Sequence, residues 1–179
     1  KQANKYEAQI LDETSWIISK EMPRAAHLRY LIAIIRSIKD LERMSDFAFN
    51  IANHFYLSKK APEKKVNDII VSIIKESLVV VEAVYNNIAE GTKQDQDFYV
   101  NKATKLINEF SRKYRAHFKQ LGQLTFKTKK NLNDKMGIFT VIKNIERNAD
   151  HAYNIIENFL YIGDPEFYFY RISRKNKIK

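Results

Sequence analysis

The chain contains no cysteine, and only 4 glycines and 3 prolines among its 179 residues. The lack of cysteine excludes disulfides, thiolate metal sites and cysteine nucleophiles. So few glycines and prolines leave little material for the tight turns of a strand-rich fold. Long apolar runs are missing too, since runs such as residues 31–35 fall far short of the ~18 residues that a membrane-spanning helix requires. With no signal peptide visible from Lys1 onward, we expect a soluble, cytoplasmic protein.

Acidic residues are also under-represented, with 21 Asp and Glu against 31 Lys and Arg and a net charge of +10. Nucleic acid, anionic lipid or an acidic partner could each exploit this excess. The same charge could instead be spread over solvated helix faces. The densest basic run, residues 171–179, lies in an expected C-terminal tail at 169–179.

Apolar residues follow a helical period almost everywhere, and hydrophobic content is 45%, which favours an all-α fold. The pattern predicts five long helices, at about residues 2–21, 24–58, 63–90, 95–121 and 134–162. Gly91 is expected to end the third helix, and the polar stretch 122–133 is expected to form a basic hairpin loop.

One segment occurs twice. Residues 38–57 read IKDLERMSDFAFNIANHFYL and residues 142–161 read IKNIERNADHAYNIIENFLY, so nine of twenty positions are identical at an offset of 104. A weaker match at an offset of 97 pairs Asn4 with Asn101 and Ile10 with Ile107. An internal repeat sets the architecture, and this one predicts two tandem three-helix bundles. We expect the first repeat at 1–60, without its first helix, and the second at 61–168; the missing helix is expected upstream of Lys1.

The repeated segment carries acids as well as core residues. Glu42 and Asp46, like Glu146 and Asp150, are four residues apart, which places each pair on one helix face. Two carboxylates on one face repel each other unless a cation or a donor neutralises them. Partly desolvated pairs of this kind favour hard divalent or trivalent ions with oxygen ligands. The alternative is that nearby lysines and arginines, at positions 39, 43, 143 and 147, simply pair with the acids.

The chain offers no catalytic constellation. There is no Glu-x-x-His pair, no His-Glu-x-x-His motif, no glycine-rich phosphate loop and no nucleophile elbow. His54 and His151 are therefore expected to serve as caps, surface groups or partner contacts rather than as metal ligands. We expect a protein that is not an enzyme.

The residues around both acidic pairs resemble the PhoU family. After Pro23, residues 24–29 (RAAHLR) and then 41–46 (LERMSD) resemble that family's pattern Pro-x-Ala-x-Asp-Leu-Arg followed by Leu-Glu-Arg-Ile-Gly-Asp. Residues 145–151 (IERNADH) look like its second repeat. His27 replaces the family's Asp, and Met44-Ser45 replaces its Ile-Gly. The resemblance runs from about residue 4 to residue 167.

The resemblance implies a fold of two similar three-helix bundles and a role in regulating phosphate uptake. PhoU-like proteins act in the cytoplasm with a phosphate ABC transporter ATPase and, in many bacteria, with a phosphate-sensing histidine kinase. Homodimers and membrane association through these partners are part of the same expectation. Some members bind iron or zinc clusters, and by position the metal ligands here would be Glu42, Asp46, Asp97, Asn101, Glu146 and Asp150.

Two other functions remain open from sequence. A carboxylate bundle that stores or binds metal would use the same acids, although Glu-x-x-His pairs are lacking. A nucleic-acid-binding bundle would use the basic excess, although no DNA-reading motif is present and the aromatic residues follow the core period. We therefore expect a phosphate-uptake regulator with no specific nucleic-acid partner.

Overall fold

The computed structural model is built from five helices: α1 (Gln2–Glu21), α2 (Ala26–Leu57), α3 (Lys64–Glu90), α4 (Gln96–Lys127) and α5 (Leu132–Gly163). The structure describes residues 2–58, 61–90, 96–127 and 132–163, with the side chains of these ranges except those at 87–90, 96–100, 125–127, 133 and 163. The described residues contain no strand, so the predicted all-α class is confirmed. Within these ranges, no helix is both long and apolar enough to cross a membrane.

The helices form one three-helix unit, α3 to α5, and one two-helix unit, α1 and α2, which is called the open unit below. α3, α4 and α5 contact one another and enclose the core, whereas α1 contacts only α2 among the described helices. The largest interface joins α2 to α5. The fully buried residues include Ile70, Ile73, Leu121 and Ile142. Burying each such side chain contributes roughly 1.5–3 kcal/mol, and these contributions belong to the second unit.

The open unit leaves apolar side chains uncovered. α1 has 20 residues whereas α4 has 32, so α1 lies against the N-terminal half of α2 and does not reach its C-terminal half, which packs on α5 alone. Phe49 is 66% exposed and Tyr56 is 87% exposed on that half. Their counterparts at an offset of 104, Tyr153 and Leu160, are partly buried. The division into units at 1–60 and 61–168 stays a prediction, and the expected tail at 169–179 lies outside the described residues.

The predicted loop at 122–133 is wrong over most of its length. α4 continues through Gly122 to Lys127, and α5 begins at Leu132. Gly122 does not have a positive φ, so it does not end the helix. Leu121 is fully buried and Leu124 packs against the core, and this burial outweighs the ~0.5–1 kcal/mol that a glycine costs inside a helix. The expected C-cap at Gly91 lies outside the described residues.

The turn from α1 to α2 has a strained backbone. Met22 has φ 44° and Ala25 has φ 49°, in a region where a Cβ is disfavoured by about 1–2 kcal/mol. Pro23 lies between them and prevents either helix from continuing. The turn reverses the chain so that α1 packs antiparallel to α2, with Asn4 donating to Glu42 and Lys39 paired with Glu7.

Candidate functional site

The two copies of the repeated segment pack directly against each other. α2 and α5 are antiparallel, and the ring of Phe47 stacks on that of His151 with centroids 5.6 Å apart. These residues are repeat counterparts at the offset of 104. When two similar, antiparallel elements pair so that a residue meets its own counterpart, a local two-fold axis relates them. The axis here passes close to residues 47 and 151.

An open cavity of about 450 Å³ lies at this axis. Its lining consists mainly of repeat counterparts from the two helices: Arg43 and Arg147, Asp46 and Asp150, Phe47 and His151, with Asn50 in addition. The sequence repeat therefore becomes a shared site, because positions near the axis are brought together from both copies. Of the six predicted ligands, the cavity contains Asp46 and Asp150.

The other two acids of the repeat are held away from the cavity by partners within their own unit. Glu42 accepts a hydrogen bond of 3.3 Å from the side-chain amide of Asn4. Glu146 pairs with Lys143 one turn earlier. The alternative that nearby cations neutralise the acids is thus realised for Glu146. In the other unit, the counterpart of Lys143 is Lys39, which bonds Glu7 on α1 at 3.3 Å.

Negative charge accumulates on the α5 side of the cavity. Desolvation and, next, the Glu146 carboxylate raise the pKa of Asp150, while His151 and Lys143 partly oppose this shift. Burial and the nearby Glu146 also raise the pKa of Tyr114. Carboxyl groups with a raised pKa are incompletely neutralised by their surroundings. A cation in the cavity would therefore stabilise the ionised form of Asp150.

The structure does not bring Asn101 to the acidic pair of α5. Three contacts fix the antiparallel register of α4 and α5: Thr104 with Tyr153 at 3.3 Å, Lys143 over Tyr114 at 5.8 Å, and Phe118 with Phe139 at 5.4 Å. This register places Ile107 opposite Asp150. Asn101 lies six residues before Ile107, or roughly 9 Å along the helix axis.

The weak match at an offset of 97 is therefore not the structural alignment of α1 with α4. In the observed register Ser111, rather than Asn101, lies opposite Glu146 in the position that Asn4 takes opposite Glu42. The offset in this register is 107 rather than 97, a difference of ten residues, or close to three helical turns, so the apolar pattern alone could not reveal the error. Asp97 lies on α4 one turn farther than Asn101 from the position opposite Asp150, and its side chain is not among those described.

Sequence reasoning missed a polar cluster at the same interface. His151 Nδ1 lies 2.6 Å from Asp40 Oδ1, and both side chains are 15% exposed. Asn158 donates to Asp40 at 3.3 Å and to Ser37 at 3.4 Å. The repeat counterpart of Asp40 is Asn144, and that of His151 is Phe47. Because this cluster is not duplicated, comparison of the two copies could not find it.

The described side chains do not fit a multinuclear metal cluster. Within the ranges whose side chains are described, no group of three or more His, Asp or Glu residues converges on a point. Asp46 and Asp150 supply two carboxylates to the cavity, but Arg43 and Arg147 line it as well. A single ion with water ligands is the most that these donors could hold. The six-residue metal set stays a prediction.

The geometry can be compared with solved structures. The fold matches PhoU from Streptococcus pneumoniae, a phosphate transport system regulatory protein, with a TM-score of 0.75 and 21% identity over 93% of this chain and 76% of that one. It matches PhoU from Pseudomonas aeruginosa with a TM-score of 0.67 and 22% identity, over 90% of this chain and 76% of that one. The fold is therefore that of a PhoU-type helical repeat protein.

Comparisons of the amino-acid sequence lead to the same family as the comparison of folds. A family model described as the PhoU domain matches residues 1–55. The chain is 31% identical to the uncharacterized protein MG409 of Mycoplasma genitalium over 172 residues, or 93% of this chain and 74% of that protein. It is 28% identical to the phosphate-specific transport system accessory protein PhoU homolog of Xylella fastidiosa strain 9a5c, over 80% of this chain and 59% of that protein. The chain belongs to the PhoU family.

Proposed function

We propose that this protein is a non-enzymatic regulator of phosphate uptake and phosphate-responsive signalling that docks on the cytoplasmic ATPase of a phosphate ABC transporter. The observation that carries the proposal is family membership along most of the chain, including similarity over 80% of its length to a protein named as a phosphate transport accessory. The net charge of +10 supports docking on an acidic partner surface, because opposite charges steer association.

Copurification with that ATPase tests the docking step. The tagged chain is expected to enrich the phosphate transporter ATPase, whereas an unrelated helical bundle of similar charge should not. The ATPase of a different ABC importer serves as the second control, since it shares the nucleotide-binding fold without the phosphate-specific surface. Equal recovery with the two baits, or with the two ATPases, would contradict specific docking. The same assay extends to a phosphate-sensing histidine kinase where the cell has one.

We also propose that one divalent or trivalent ion, of the iron or zinc class, binds between Asp46 and Asp150. Support comes from the convergence of both carboxylates on one cavity and from the raised pKa of Asp150. Bound there, the ion would offset the unfavourable effect of Glu146 on ionised Asp150 and hold α2 against α5. Arg43 and Arg147, which line the same cavity, would limit the number of ions to one.

Metal analysis of the purified protein tests this second step. The D46A/D150A variant is expected to lose the bound ion, because it removes both carboxylates that face the cavity. The D12A/E13A variant is the matched control, since it removes two exposed acids of α1 that lie outside the cavity. The E42A/D46A variant removes one cavity acid and one acid already bonded to Asn4, so it should lose less than D46A/D150A. Unchanged metal content in D46A/D150A would refute the site.

A further inference from the structure

Two arginines line the cavity between α2 and α5 without partners of their own. Arg43 and Arg147 occupy equivalent positions in the two copies of the repeat, and both line the cavity. Neither makes a hydrogen bond or an ion pair with any residue that the structure describes. Elsewhere in the chain, Arg29 and Arg115 donate to backbone carbonyl oxygens. Both cavity arginines are exposed, so a ligand from solvent can reach them.

The cavity arginines lie on opposite sides of the local two-fold axis. The axis passes close to Phe47 and His151, and each arginine precedes one of these residues by four positions, or about one helical turn. Because α2 and α5 are antiparallel, the two arginines lie about one turn from the axis in opposite directions. Asp46 and Asp150 lie between them, next to the axis. The aspartates are therefore central in the cavity, and the arginines flank them.

The charges of the cavity lining balance until an ion binds. The two arginines carry two positive charges, and Asp46 and Asp150 carry two negative charges when ionised. An ion that neutralises the aspartates leaves the positive charge of the arginines in excess. A cleft lined by an excess of one sign of charge attracts ligands of the opposite sign. The cavity with its ion is therefore suited to an anion.

Arginines at this place favour an oxyanion with tetrahedral symmetry. The planar guanidinium group presents parallel N–H donors that match the oxygens of carboxylate or phosphate. Two such groups related by a two-fold axis suit a ligand with the same symmetry, and a tetrahedral oxyanion can turn two oxygens to each of them. Asn50 also lines the cavity and adds amide N–H donors. The volume of about 450 Å³ far exceeds the roughly 30 Å³ of a water molecule, so the anion and an ion fit together.

We propose that the cavity binds a tetrahedral oxyanion of the phosphate class between Arg43 and Arg147, alongside the ion held by Asp46 and Asp150. This inference rests on the proposed metal site and on the proposed role in phosphate regulation, which selects phosphate among tetrahedral anions. Phosphate oxygens are ligands that hard cations accept. Each ligand neutralises the charge that would repel the other, so the ion strengthens phosphate binding and phosphate strengthens ion binding by the same factor. Phosphate thereby stabilises the packing of α2 on α5.

Equilibrium dialysis with radiolabelled inorganic phosphate tests the inference. The chain is loaded with Zn²⁺ and freed of unbound metal, and a second sample is kept in a chelator. The loaded chain is expected to bind phosphate, and the chelated chain should bind it at least about fivefold more weakly, the lower end of ordinary coupling between two ligands. R43Q/R147Q should weaken binding to the loaded chain by more than about tenfold, because charge-assisted hydrogen bonds to both guanidinium groups are lost.

A competition arm separates the free anion from a phosphate ester. Glycerol 3-phosphate carries the same phosphate group, but one of its four oxygens is esterified and accepts hydrogen bonds poorly. It should therefore displace the radiolabelled phosphate less effectively than unlabelled inorganic phosphate does. Displacement by the ester at equal concentration and to an equal extent would overturn the two-fold arrangement of arginines around a free anion.

Matched controls separate this inference from folding and from the metal site. R112Q/R115Q removes two exposed arginines of α4 that lie outside the cavity, and it should bind phosphate as the parent does. Circular dichroism of each variant should match the parent, because the substituted side chains are exposed. Zinc content is measured in the same samples, and R43Q/R147Q should retain zinc.

The outcomes distinguish two failures. A chain that holds zinc but no phosphate would overturn the oxyanion inference and leave the metal site standing, whereas a chain that holds neither would refute both. Phosphate binding that is equal with and without zinc would overturn the coupling. Phosphate binding that survives in R43Q/R147Q would overturn the assignment to this cavity.

Discussion

Two glycines inside long helices should respond to alanine in opposite directions. Gly122 lies in α4, and a Cβ built there meets no heavy atom within 4 Å. Gly137 lies in α5, and a Cβ built there would come within 2.2 Å of Cε1 of His54 on α2. Neither glycine has a positive φ, so both adopt backbone conformations that alanine accepts. Their local helix environments are alike, and the difference is the approach of α2.

The magnitudes follow from two opposing effects. Alanine gains about 0.5–1 kcal/mol over glycine in a helix interior, and G122A should show that gain in full. At position 137 the same gain competes with overpacking, which costs roughly 1–3 kcal/mol. The His54 ring cannot swing away freely, because it is partly buried and makes an edge contact with Phe55 at 5.6 Å. G137A should therefore be destabilising by about 0.5–2 kcal/mol.

Thermal and denaturant unfolding of four variants measures these effects. For a chain of this size 1 kcal/mol corresponds to about 2–4 °C in Tm, so G122A should melt a few degrees higher and G137A a few degrees lower. H54A/G137A should be more stable than the sum of the two single changes predicts, because the clash is absent when the ring is removed. If G137A raises Tm as much as G122A does, the close packing of α2 on α5 at this point is refuted.

Three further predictions concern the turn between α1 and α2, the interface between α2 and α5, and the cavity. A25G should stabilise the protein by about 1 kcal/mol in urea unfolding, because glycine accepts the φ of 49° that strains alanine; no gain would mean that the turn is unstrained. H151F should cost about 1–3 kcal/mol because it removes one of the hydrogen bonds to the mostly buried Asp40, and D40N should cost less because an amide oxygen at this position can still accept from His151. The loss in D40N/H151F should be smaller than the sum of the single losses; additive losses would contradict direct pairing. D150N should raise Tm slightly at pH 7 in the presence of a chelator. The native pKa of Asp150 is raised, so ionisation of Asp150 destabilises the fold as the pH rises through that pKa. The stability gain of D150N should therefore vanish at about pH 3, below the ordinary Asp pKa. An equal gain at both pH values would refute the electrostatic origin.

The helices were predictable from sequence because their apolar residues repeat with the helical period. Four of the five predicted helices agree with the structure to within two residues at each end. The exception is the end of α4, which continues to Lys127 although the sequence predicts a loop from Gly122 onward. The helix continues past Gly122 because the side chain of Leu124, beyond the glycine, packs against the core. This burial offsets the conformational cost of a glycine inside a helix. That contact depends on α3 and α5, which no local pattern describes.

The site was predictable in part for a similar reason. Asp46 and Asp150 were identified because the repeat duplicates them, and the structure places both at one cavity. The register between α4 and α5 was not predictable, because helix faces recur every three to four residues. The pair formed by Asp40 and His151 could not be found by comparing copies, since neither residue is duplicated.

The position of the local two-fold axis explains why the four repeated acids are not equivalent. Asp46 and Asp150 lie near the axis, so each faces the other copy, and their properties depend on both units at once. Glu42 and Glu146 lie one turn before these aspartates and farther from the axis. The charge of each is therefore offset by a neighbour in its own unit, Asn4 for Glu42 and Lys143 for Glu146. A neutral amide and a lysine place different charges beside the two glutamates. An asymmetric site has therefore arisen from a symmetric repeat, because the two glutamates beside the cavity have different partners.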